Sequence, residues 1–169
     1  MFVLIYCVNF FKEGGNYVPL HPSIVHFPIA LLLTATVIEV INLFLKKEYL
    51  FKTSTILFVT GFVTGLVSFM TGDAAEEFAE QKWGEVIEST VELHENMALL
   101  SLILFGAISI LKLFGQKLKI NTKWIVTLVV ILGIIGSSTL AYTGHLGGKM
   151  VYESEKLSNT NNYELPDRD

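Results

Sequence analysis

The chain contains four histidines, His21, His26, His94 and His145. Imidazole binds haem iron and transition-metal ions through a neutral ring nitrogen, so these four are the first residues to weigh for chemistry. Two of them open the segment HPSIVHFP (21–28), one lies in ELHEN (92–96) and one in GHLGGK (144–149). The other familiar constellations fail. There is no CxxCH for covalent c-type haem, and the single Cys7 excludes an intrachain disulfide or a cysteine-held cluster within this chain. The zincin pattern HExxH breaks at Ala98, the Glu-x-x-His of di-iron bundles breaks at Val91, and no Gly-x-Ser-x-Gly elbow occurs. What remains is histidine ligation of a haem or of a transition-metal ion, with Met70 and Met97 as alternative axial ligands.

The elements that must position these residues are membrane spans. Of the 169 residues 51% are hydrophobic and only 17% charged, and the mean hydropathy is +0.53, which is too apolar for an ordinary soluble domain. Four stretches reach the length a span needs, at about 22–45, 53–72, 95–114 and 123–144. The runs Ile56 to Met70, Met97 to Leu111 and Trp124 to Tyr142 carry no formal charge, so these helices have no polar face to turn to water. The expected fold is an all-α integral membrane protein, a four-helix up-and-down bundle. An amphipathic segment over 73–93, with Phe78, Trp83, Val86 and Ile87 as its apolar contacts and an interruption near Gly84, should lie along one interface.

Three regions follow from this reading. Residues 1–16 form an N-terminal extension, too short for a span and without the basic start or cleavage site of a signal peptide. Residues 17–152 form the membrane domain and 153–169 a polar tail. Lys46, Lys47 and Lys52 fall between spans one and two, and Lys112, Lys117, Lys119 and Lys123 between spans three and four. The positive-inside rule turns those loops to the cytoplasm, placing both termini and all four histidines at the periplasmic or exterior face of a bacterial inner membrane. On that side Asp73, Glu76, Glu77, Glu80, Glu85, Glu88, Glu92 and Glu95 face a single Lys82, giving an acidic rim.

Within the spans, His26, His94 and His145 are expected as ligands in that order. His21 reads equally well as an N-cap before Pro22, while Pro28 should loosen the helix beside His26 and turn His26 to the bundle. Small residues leave room beside the histidines: Gly133, Ser137 and Ala141 precede His145 in steps of four, and Ala98 and Ser101 follow His94. Such stripes equally serve close helix packing. Glu39 is the other polar outlier, set in span one as a possible proton or quinone contact or as the partner of a nearby lysine.

The segments HPSIVHFPIALLL (21–33), TGDAAEE (71–77), ELHENMAL (92–99) and GHLGGKMVY (144–152) resemble the landmarks of a bacterial four-span family of predicted membrane proteins with a domain of unknown function. The resemblance covers about residues 17–152 and marks His21, His26, His94 and His145 together with Gly72, Glu95, Gly144, Gly147 and Gly148. Similar domains occur joined to c-type cytochrome or Rieske modules, which implies redox company. The leading expectation is therefore a b-type haem protein that carries electrons, or serves as a subunit of a redox complex, rather than a stand-alone enzyme. Its partners would be the lipid bilayer and a soluble c-type cytochrome or other redox protein at the acidic face. A homo-oligomer or larger membrane complex is compatible with this, and nothing points to nucleic acid. The alternatives are a membrane protein that binds copper, zinc or iron, and a cofactor-free structural subunit.

Overall fold

The computed structural model describes residues 10–13, 16–83, 88–115 and 122–162. A short antiparallel hairpin comes first, with β1 (Phe10–Glu13) paired to β2 (Asn16–Pro19) in the register Phe10 to Pro19 and Glu13 to Asn16. Six helices follow: α1 (His21–Ile24), α2 (His26–Leu45), α3 (Glu48–Phe69), α4 (Gly72–Trp83), α5 (Glu88–Phe114) and α6 (Thr122–Asn162). Four helical stretches are long and apolar enough to cross a membrane: His21–Leu45, Glu48–Ala79, Glu88–Phe114 and Lys123–Tyr152. The protein is an all-α multi-pass membrane bundle, as its charge-free runs require.

Helix α2 packs on α3 and α6, and α5 packs on the same two, so α2 and α5 occupy one diagonal of the bundle. From mid-bundle to the lysine-bearing end an apolar cluster of Leu32, Ala35, Phe58, Phe105, Ile108, Ile125 and Val129 surrounds a few buried polar side chains. Outward-facing residues are apolar too, including Val37, Ile56, Ile103, Ile110, Ile131 and Ile134, as a lipid environment demands. Hydrophobicity therefore does not distinguish inside from outside, and close packing sets the helix faces instead. A Cβ at Gly61 would lie 2.7 Å from Leu32 Cδ2, one at Gly106 2.9 Å from the Phe62 ring, and one at Gly136 3.1 Å from Phe105. Space that the sequence leaves open beside the helices is thus filled by side chains from the facing helix.

Several local features differ from expectation. The helix starts one residue early, with Leu20 at the N-cap and His21 already helical. It breaks at Val25, so Pro28 becomes the third residue of α2, where a missing N–H costs little. Pro28 is buried and His26 exposed, because residues two apart on a helix point about 200° apart. At the far end of α2, Lys46 takes the left-handed conformation (φ 51°), and Asn42 caps the reversal by accepting the Lys47 N–H through Oδ1 at 2.9 Å. Helix α6 runs 41 residues, about 60 Å or twice the hydrocarbon thickness, and continues past residue 152 to Asn162. The helix-favouring run VYESEKL contains no breaker to stop it. The interruption near Gly84 and the contacts of Val86 and Ile87 lie outside the described residues, as does residue 163 onward.

These contacts separate packing glycines from permissive ones. Gly61→Leu should push α2 and α3 apart and lower stability by about 1–3 kcal/mol. Gly144→Ala, whose added methyl meets nothing within 4 Å, should be neutral or stabilise by up to about 1 kcal/mol. Thermal unfolding of the two variants in the same mild detergent tests the contrast.

Candidate functional site

At the histidine end of the bundle Ser68, Thr71, Ser101 and Thr143 are almost inaccessible, beside buried Val91 and Leu146. His21 and His94 join this layer, both half-buried. His21 Nδ1 lies 3.0 Å from the Ser68 carbonyl and 2.9 Å from Thr71 Oγ1, at the end of α3. Ser68 O, in the last turn of α3, also accepts the Thr71 N–H at 3.0 Å and the Thr71 hydroxyl at 2.6 Å. His94 Nδ1 lies 2.9 Å from the Thr143 carbonyl on α6. A carbonyl can only accept, so each bond puts the proton on Nδ1 and leaves the Nε2 lone pair as the ring's basic site. The two imidazoles come from opposite corners of the bundle.

Gly72 and Gly147 lie beside these rings, at distances where an added Cβ would make ordinary contact. A Cβ on Gly72 would lie 3.9 Å from His21 Cε1, and one on Gly147 3.4 Å from His94 Cε1. Gly144 and Gly148 border open space. His26 and His145 are both exposed, the latter beside Tyr142 with ring centroids 6.4 Å apart. The α6 stripe explains the position of His145. A step of four residues overshoots a helical turn by about 40°, so three steps from buried Gly133 carry His145 about 120° round to the outside. Ala141 has already left the bundle.

Ala98 stays half-buried, while Ser101 and Ser137 spend their hydroxyls on neighbouring helices. Ser101 donates to Thr139 Oγ1 at 2.9 Å and Ser137 to Thr36 Oγ1 at 3.4 Å. Met70 is exposed and Met97 half-buried. Among the described residues no group of three or more His, Cys, Asp and Glu is placed to hold a metal ion. The structure thus half-buries two of the four histidines and exposes the other two, and the half-buried pair is the one anchored by backbone carbonyls.

A second polar centre occupies the same diagonal near the lysine end. Glu39 of α2 is fully buried and meets Lys112 of α5, with Nζ to Oε2 at 2.6 Å. Lys112 also donates to Ser54 Oγ at 2.8 Å and sits 3.8 Å from the centroid of the Phe51 ring. Ser54 in turn donates to Glu39 Oε2, whereas Glu39 Oε1 is buried without a partner among the described residues. Glu39 therefore pairs with a span-three lysine rather than with a neighbour on its own helix, and Lys112 belongs to the bundle interior rather than to the following loop. The sequence carried a signal for this pairing. His21 precedes Glu39 by 18 residues, and His94 precedes Lys112 by the same 18. Eighteen residues make five helical turns, so His94 and Lys112 share one face of α5 about 27 Å apart, and His21 keeps nearly the same relation to Glu39 because Val25, between α1 and α2, retains a helical backbone (φ -59°, ψ -29°).

The class of protein is thereby defined: a four-span membrane bundle that buries a Glu39–Lys112 ion pair near one end and anchors His21 and His94 to backbone carbonyls near the other. The chain belongs to the DUF2231 family of predicted membrane proteins, whose family model matches residues 17–158. No curated protein and no solved structure matches it.

The ion pair can be tested by breaking it one side at a time. Glu39→Ala strands the Lys112 ammonium in an apolar interior and should cost about 3–5 kcal/mol. The double change Glu39→Leu with Lys112→Met removes both charges and should recover most of that loss. Unfolding of purified protein in mixed micelles reads both, and equal damage from the single and double changes would rule the pairing out.

Proposed function

We propose that the protein is a membrane electron carrier that holds a b-type haem through His21 and His94, near the outer face of a bacterial inner membrane. The observation that carries this reading is the matched anchoring of the two rings. Each gives its Nδ1–H to a backbone carbonyl of an adjacent helix, the arrangement that fixes the tautomer of a metal-bound histidine and raises the basicity of its free Nε2. A haem brings four equatorial nitrogens and asks the protein for axial ligands alone, whereas a structural or catalytic zinc takes three or four protein ligands. Two imidazoles without a third neighbouring ligand among the described residues suit the first requirement better.

When bound, the haem supplies a one-electron couple. The residues of this chain do the rest. Ser68, Thr71 and Thr143 orient the imidazoles. Exposed Asp73, Glu88, Glu92 and Glu95 put negative charge at the same end, which would guide a basic soluble redox protein such as a c-type cytochrome. The lysine-bearing loops favour the cytoplasmic side, so this end would face outward.

The reduced-minus-oxidised visible spectrum of protein from haem-replete cells, with haem and metals quantified on the same sample, tests the proposal. We expect a stoichiometric b-type signal that survives His26→Ala and His145→Ala and is lost in His21→Ala and His94→Ala. Should an alanine variant fail to fold, His94→Met still decides the matter: it should retain haem with a raised potential, because methionine is a weaker axial donor. Haem-free protein, or an unchanged spectrum in both His21 and His94 variants, would sink the reading. A stoichiometric metal without haem would move the assignment to metal handling.

A further inference from the structure

The lysine end of the bundle contains a cleft of about 590 Å³ between α2, α3 and α6. Its walls include Lys46, Lys47 and Lys123, and its apolar lining includes Leu43, Phe51 and Val126. All three lysines are exposed. Glu48 also borders the cleft, but its one carboxylate is outnumbered by the three lysines and is itself paired with Lys52 at 2.7 Å, so the net charge of the lining is positive. We propose that this cleft binds the phosphodiester headgroup of an anionic phospholipid.

Three independent features favour that occupant. First, the site is preformed. The left-handed Lys46 and the Asn42 side chain fix the turn that carries Lys46 and Lys47, while the Lys112 ammonium against its ring holds Phe51 in the floor. Second, the depth is right for a headgroup. Tyr49 and Trp124, 63% and 72% exposed, flank the cleft at the ends of α3 and α6, and such amphipathic aromatics settle at the level of lipid headgroups. Third, the lining joins cations to an apolar wall of Leu43 and Val126. A soluble phosphate would use only the lysines, whereas a phospholipid matches both parts.

Purified full-length protein, delipidated in mild detergent, can be titrated with dioleoyl phosphatidylglycerol, dioleoyl phosphatidylcholine and glycerol phosphate, with thermal unfolding and retained lipid by native mass spectrometry as readouts. Phosphatidylglycerol should stabilise saturably and remain bound, and phosphatidylcholine should need at least about tenfold more for the same shift. The triple variant Lys46→Gln, Lys47→Gln, Lys123→Gln should lose that preference while unfolding normally without lipid. Lys149→Gln, exposed at the opposite end of the bundle, should keep it. Equal stabilisation by the two lipids, or a preference surviving in the triple variant, would overturn the proposal. Saturation by glycerol phosphate at the same concentration as phosphatidylglycerol would overturn the lipid assignment in favour of a free-anion site.

Discussion

A polar group inside a bilayer has no water to fall back on, and that constraint organises this protein more than any other. Lipid tails are as apolar as leucine, so the helices gain little by hiding hydrophobic surface from their surroundings. What can hold them together is close contact and polar bonds that would go unmade elsewhere. Close contact is supplied where Gly61, Gly106 and Gly136 admit Leu32, Phe62 and Phe105. Polar bonds are supplied by Ser101 to Thr139 and Ser137 to Thr36 between neighbouring helices, and by Lys112 to Glu39 across the diagonal. The last of these places a fully desolvated charge pair beside Phe51 and Phe58, where it fixes the register of α2 against α5. Register at the lysine end then determines which residues meet at the histidine end.

The bundle was legible in the sequence because span length and the absence of charge are one-dimensional properties. Four apolar runs separated by lysine-rich or acidic segments leave little else to build. Helix rotation was not legible in the same way. With apolar side chains inside and out, hydrophobic periodicity does not point to the core, and the small-residue stripe of α6 was followed in steps of four although the helix repeats at 3.6. That drift is why His145 reads as the end of a continuous face and stands exposed in the structure. His21 was hidden for another reason. A histidine followed by proline at a helix start looks like a cap for its own helix, but its ring reaches the end of α3. The shared 18-residue spacing of His21 to Glu39 and His94 to Lys112 was the stronger signal, since it holds over five whole turns and is insensitive to that drift.

The two ends of the diagonal differ in a way that side-chain length explains. α2 and α5 are not neighbours in the ring, so a bond between them has to cross the bundle axis. Glutamate and lysine are long enough to meet there at 2.6 Å, and Ser54 completes the contact. Histidines are shorter, and His21 and His94 bond sideways to the carbonyls of α3 and α6. One end is therefore closed by a direct ion pair. The other presents two nitrogen lone pairs from opposite corners, each with its partner nitrogen committed to backbone. Sideways anchoring alone would serve a purely structural histidine at a helix end, as His21 on the Ser68 carbonyl illustrates. It is harder to account for His94 that way, because Thr143 lies within an unbroken helix and its carbonyl needs no second donor. A bond to such a carbonyl does little for the helix but orients the imidazole. Orientation of a ring whose remaining nitrogen is basic is what a bound metal centre requires, and the proposed haem site rests on this asymmetry between the two pairs.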